Sequence, residues 1–184
     1  MADAHVPLHA NTNHNGQFTD QKGIHAFWES RIPELLAEKD PITTGWDFLI
    51  GKANYINNPA DFIWKRILES AAAADTVLRF EKELSLRTPG DQKYSFEDRN
   101  GVIMRQYSAA YSKAYDALLK GMVEKRMRQS IYAVASFWFT AWVNAGQPDL
   151  KNLSGKKFSA EDLKEFENLN TSWKNNAIKG RDHE

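Results

Sequence analysis

The first twenty positions sustain no apolar period: His5, His9 and His14 alternate with Asn11, Asn13, Asn15 and Gly16, the signature of an irregular segment rather than a helix or strand. From Gln21 the pattern changes. Ile24, Phe27, Trp28, Arg31 and Ile32 fall at helical spacing up to Pro33, which is expected to kink or end that helix. Residues 40–57, with the run Trp46-Asp47-Phe48-Leu49-Ile50, carry too weak a pattern to be assigned an element. Asn58 before Pro59 is a helix start, and Phe62, Ile63, Ile67, Ala71, Ala74 and Leu78 continue its stripe, with a stop expected before Pro89-Gly90. A second long helical region is predicted from near Asp98, with Ile103, Tyr107, Tyr111, Tyr115, Leu118 and Met122 on one face. Gly121 is its expected break, and Ile131, Val134, Trp138 and Trp142 continue it to the stop at Asn144 to Pro148. Ser159 and Asp162 resemble a capping box ahead of Leu163 and Phe166, predicting a short helix before a polar tail. The expectation is an all-α fold, with a helical domain over residues 1–150 and a polar extension with one short helix over residues 151–184.

Composition narrows the chemistry. At 184 residues and 42% apolar content the chain can bury a sizeable core. Lys+Arg and Asp+Glu are both 24, so no global field draws it to nucleic acid or to an anionic membrane, and phosphate recognition has to be local. No stable nucleic-acid complex is expected. The chain has no cysteine, which removes thiolate chemistry and leaves His, Asp and Glu as strong metal ligands. The opening residues Met1 to His9 lack the basic and apolar regions of a signal peptide. The most apolar stretch, Ile131 to Val143, is shorter than the ~20 residues that span a bilayer and is read as a buried helix. The cluster Lys120, Lys125, Arg126 and Arg128 is read as a solvated helix face because Glu124 intervenes.

One constellation stands out. Residues four apart on a helix project from the same side, so His25 and Glu29 can aim an imidazole and a carboxylate at one point. A His–Glu pair at this spacing is common as a surface contact worth about 0.3–0.5 kcal/mol. Its weight comes from the crowding of Asp3, His5, His9, His14, His25 and Glu29 into 29 residues, when the only other histidine is His183. Hydrolytic zinc sites commonly take two His and one Glu and keep a position for water or substrate, which makes His9 the natural third ligand. No G-x-S-x-G elbow, phosphate loop or dinucleotide fingerprint occurs.

Asp3-Ala-His5-Val-Pro7-Leu8-His9, an Asn/Gly loop, then Ile24-His25-Ala-Phe-Trp28-Glu29 resembles the signature of the zinc-dependent phospholipase C family, whose superfamily includes the single-strand-specific zinc nucleases and 3'-nucleotidases. The signature covers about the first thirty residues; a weaker likeness extends over most of the chain. The resemblance implies an all-helical phosphodiesterase with three clustered zinc ions. His9, His25 and Glu29 would hold one of them, Asp3 would contact the other metals at the catalytic centre, and His5 would bind none. Glu at position 29 leans toward the phospholipase branch. The family's remaining ligands would fall before Met1, so about one zinc is supportable here and the chain is expected to be the C-terminal portion of a longer protein. Exported relatives imply an upstream signal. The substrate implied is a phosphate ester, phospholipid or nucleotide, and apolar stripes left uncovered imply self-association. Two alternatives stand beside the hydrolase: a non-catalytic helical zinc-binding or interaction module, and a single-strand nuclease or 3'-nucleotidase.

Overall fold

Two 3-10 turns, Asp3–His5 and Pro7–Ala10, occupy the start of the stretch that shows no apolar period, and Val6, Pro7 and Leu8 are nonetheless buried. The computed structural model describes residues 1–37, 45–152 and 157–175. Gly16 turns the chain at φ +71°, where a Cβ would lie 2.4 Å from the Gln21 carbonyl oxygen, so only glycine fits this loop. Behind it the side chain of Asn15 accepts from the Gly23 N–H at 3.0 Å and sets the entry to the first helix.

That helix is built in three parts: α1, Ile24–Ala26; a π-turn, Phe27–Arg31; and α2, Ile32–Leu36. The Ile32 N–H reaches back to the Phe27 carbonyl, one residue further than in an α-helix. Pro33 was expected to kink or end the helix, yet the helical path continues to Leu36. The wide turn just before it relaxes the crowding that a proline imposes on the preceding carbonyls.

α3, Pro59–Arg87, begins where expected, with the Asn58 side chain accepting from the Asp61 N–H at 3.1 Å, and it ends before Pro89. Its second half is the more deeply buried, through Ala74, Val77, Leu78 and Leu84. A short turn of helix, α4, Gly90–Lys93, then leads into strands where helix was expected. β1, Tyr94–Arg99, pairs antiparallel with β2, Val102–Tyr107, in the register Arg99↔Val102 and Tyr94↔Tyr107. Asn100 and Gly101 both take positive φ, 56° and 82°, as a two-residue hairpin loop of the primed type requires. The fold is therefore mostly helical with one two-stranded sheet, and the helix expected from Asp98 starts only at Ala109.

α5, Ala109–Leu119, is capped by Ser108, and α6, Met122–Asn144, follows the break at Lys120 and Gly121, both at positive φ. Tyr111, Tyr115, Leu119 and Val123 join Leu8, Ile24, Phe27, Trp28, Ile32 and Val77 in one core. Two readings of α6 are corrected. Trp138 is 75% exposed; the buried face is instead Ala133, Ser136 and Thr140. The reason is that the extended residues 54–56 lie along it, and their backbone donors need acceptors: Asn54 N–H donates to Ser136 Oγ and Ile56 N–H to Thr140 Oγ1. Arg126 is not solvated either. Buried, it donates to the carbonyls of His5 and Arg66 and to Ser70, Glu69 and Gln129, tying the N-terminal turns to α3.

These elements form one compact unit, Met1–Asn144, and Ala145–Glu184 a second. In the second, Leu150–Asn152 is a 3-10 turn and α7, Ala160–Lys174, carries the expected reciprocal capping box between Ser159 and Asp162. Among the described residues no helix is long and apolar enough to cross a membrane.

Candidate metal centre

Three separate pieces of local structure deliver three side chains to one point. The turn Pro7–Ala10 presents His9, α1 presents His25, and the π-turn presents Glu29. His25 Nε2 lies 2.8 Å from His9 Nε2 and 2.7 Å from Glu29 Oε2, and His9 Nε2 lies 3.5 Å from the same carboxylate oxygen. Ligand atoms at zinc distances of about 2.0–2.1 Å in a tetrahedral set stand roughly 3.3 Å apart, close to this spacing. Among the described residues this is the one group of His, Asp or Glu side chains found arranged to hold a metal ion.

The donor chemistry agrees with the geometry. One proton on His25 Nε2 can satisfy His9 or Glu29 but not both, so three lone-pair-bearing atoms converge with at most one proton shared along each line. A divalent cation at the centre satisfies all three together. The side chains are 20%, 27% and 42% exposed for His9, His25 and Glu29, so a metal held there would keep one face open to water, as catalytic sites do and structural sites do not. The two imidazoles meet edge to face with centroids 4.7 Å apart, which points their Nε2 atoms inward without stacking the rings. The π-turn has its own part here, since such turns inside helices recur at functional sites.

The remaining sequence candidates fall elsewhere. Asp3 lies on the far side of His9, its Oδ1 3.5 Å from Nδ1, and is 72% exposed; it is outside the three-residue group. A carboxylate in that place orients a ligating imidazole from behind. His5 is buried, its Nδ1 3.0 Å from the Met1 carbonyl. His14 is exposed, its ring 6.1 Å from that of His25. His183 lies outside the described residues.

Two polar atoms near the centre have no counterpart in the sequence reading. His5 Nε2 and Trp28 Nε1 are buried and unpartnered, and no spacing or composition could have singled them out, because their condition arises from tertiary packing. Compared with protein-family models, with curated proteins and with solved structures, the chain has no match.

Proposed function

We propose that the chain carries part of a zinc-dependent phosphoester-hydrolase centre of the phospholipase C type, with His9, His25 and Glu29 holding one zinc ion. The observation that supports this is the convergence of His9 Nε2, His25 Nε2 and Glu29 Oε2, from residues of one recognisable signature, into a ligand-spaced group with an exposed face. A zinc ion bound there would polarise a phosphoryl oxygen and lower the pKa of a water beside it. The chain's own residues do the rest. The two imidazoles would offer Nε2 as ligand atoms, Glu29 would supply a carboxylate oxygen, and Asp3, 3.5 Å from His9 Nδ1, would favour the His9 tautomer whose Nε2 can ligate.

A second reading, a zinc-binding module without hydrolytic activity, is favoured by one specific observation: a single three-ligand group is found among the described residues, whereas the family's chemistry spreads charge over clustered metals. Elemental analysis and thermal unfolding with added zinc address binding, and a chromogenic phosphodiester addresses hydrolysis. About one zinc per chain is expected, with stabilisation of about 2.7 kcal/mol at a hundredfold excess over the dissociation constant. Both are expected to be lost in His25→Ala and in Glu29→Ala. Unchanged zinc content in those variants sinks the centre. Zinc binding without any zinc-dependent turnover selects the second reading.

A further inference from the structure

Beside the metal centre, a pocket of about 230 Å³ opens between the first 3-10 turn, the π-turn and the start of α6, with Glu29 on its boundary. Val6, Pro33, Val123 and Ile131 give it apolar walls. Trp28 and His5 also line it, each 2% exposed, and each brings a polar atom without a hydrogen-bond partner, Trp28 Nε1 and His5 Nε2. Buried polar groups are nearly always paired, and leaving one unpaired is costly. Both belong to residues that line one pocket, which asks for a ligand able to pair them.

Their polarities say what kind. The indole N–H can only donate. His5 Nδ1 lies 3.0 Å from the Met1 carbonyl oxygen, an acceptor, so the ring proton sits on Nδ1 and Nε2 offers a lone pair. Burial holds the imidazole below its ordinary pKa, reinforced by the Arg126 and Arg66 guanidiniums against the opposing hydrogen bond to Met1, which keeps the ring neutral. Arg126 also lines the pocket, but its donors are committed to the His5 and Arg66 carbonyls, Ser70, Glu69 and Gln129. A carboxylate would therefore gain the indole donor but face the His5 lone pair and the Glu29 carboxylate, with the Arg126 donors already committed. An ammonium would gain the His5 lone pair, with the Glu29 carboxylate at the boundary, but would leave the indole N–H unpaired and lose its hydration against apolar walls. A hydroxyl both donates and accepts, and an alkyl chain attached to it matches the walls.

We propose that this pocket is a binding site for a neutral aliphatic alcohol, its hydroxyl function paired with His5 Nε2 and Trp28 Nε1 and its chain against Val6, Pro33, Val123 and Ile131. The site stands on its own lining atoms and does not require the metal reading.

The test is a titration of the full chain with 1-hexanol, 1,2-hexanediol, hexanoate and hexylammonium, followed by nitrogen–proton correlation spectra of the indole N–H groups. The Trp28 signal is identified by its disappearance in Trp28→Phe. Saturable movement of that signal is expected with hexanol or the diol, with hexanoate and hexylammonium at least about tenfold weaker. Loss of one hydrogen bond in Trp28→Phe is expected to weaken alcohol binding, measured calorimetrically, by about five- to tenfold. His25→Ala, which removes the metal ligand, is expected to leave alcohol binding unchanged, so this proposal and the metal centre can fail separately. An unmoved Trp28 signal with every probe means that water alone fills the pocket and overturns the proposal. So does binding of hexanoate or hexylammonium as tight as that of hexanol, a comparison that needs only the wild-type chain and holds even if Trp28→Phe does not fold.

Discussion

Glu29 and Glu81 are both carboxylates held near aromatic and polar side chains, and they are surrounded by opposite chemistry. Glu81 is fully buried and every neighbour donates to it: Gln21 Nε2 at 2.5 Å, Tyr111 Oη at 2.8 Å and Lys93 Nζ at 2.9 Å. Glu29 is 42% exposed, and the atoms nearest its Oε2 are two imidazole nitrogens that bear lone pairs as readily as protons. The first cluster is complete with protein atoms alone, and it joins the segment before α1 to α3, α4 and α5. The second is a group that could hold a metal ion. A buried charge with its donors supplied marks architecture, and an exposed group of converging acceptors marks a ligand site.

The largest effect that sharpens this contrast is expected at Glu81. Glu81→Ala strands the Lys93 ammonium and the donors of Gln21 and Tyr111 around a hole, and breaking such a buried pair costs about 3–5 kcal/mol, a large share of a typical domain's ~5–15 kcal/mol. Urea unfolding measures the loss. The zinc affinity of the folded fraction is expected to stay within about twofold of wild type, whereas Glu29→Ala is expected to reverse the pattern, with metal binding gone and metal-free stability within about 0.5 kcal/mol. If Glu81→Ala unfolds no more easily than Glu29→Ala, the contrast between the two carboxylates is wrong.

Much of this was legible in the sequence, and the failures are specific. The cap at Asn58-Pro59, the break at Gly121 and the Ser159–Asp162 capping box were readable because each is a local rule, settled by two or three neighbouring residues. The proximity of His9, His25 and Glu29, a group that could hold a metal ion, was readable because a His–Glu pair one helical turn apart follows a His-bearing loop. The hairpin at 94–107 was missed because Ile103 and Tyr107 also fit a helical stripe running on to Tyr111; Asn100-Gly101, the strongest short hairpin signal, should have outweighed them. Glu81 was invisible: in the sequence it is one charged residue among several on a long helix, and only the packing of Gln21, Lys93 and Tyr111 around it makes it central. Arg126 was misread for the same reason.

An intermediate effect is expected at Asp3, which touches the centre only through His9. With Oδ1 3.5 Å from His9 Nδ1, the carboxylate favours the tautomer whose Nε2 can ligate, and loss of such a partner lowers metal affinity roughly 10- to 100-fold. Asp3→Asn is therefore expected to weaken zinc binding, measured by competition with a chromogenic chelator, while leaving the stoichiometry at about one. A fall in stoichiometry with the remaining affinity intact would instead mark Asp3 as a ligand of a different metal, the role that the family resemblance implies. No change in either quantity would leave Asp3 as a solvent-facing residue.

The smallest effect belongs to a third carboxylate, Glu97, which lies between the two extremes. It is 35% exposed and paired with the buried guanidinium of Arg31, so it is complete like Glu81 but screened by water like Glu29. The Arg31 hydrogen bond is the main reason its carboxyl is held below the ordinary 4.5, with Ser95 and the nearby guanidiniums helping and partial desolvation opposing. A carboxylate whose pKa is lowered in the folded state stabilises fully above its unfolded value, and the contribution is lost as pH falls through the folded one. Glu97→Gln is thus expected to cost about 1 kcal/mol or less at pH 7, given the exposure, and the gap to wild type should close as pH drops below about 4. Chemical denaturation at pH 7 and at pH 3 measures both gaps. A penalty that persists unchanged at pH 3 would mean that the ion pair contributes nothing and that the variant acts through packing between the hairpin and Arg31.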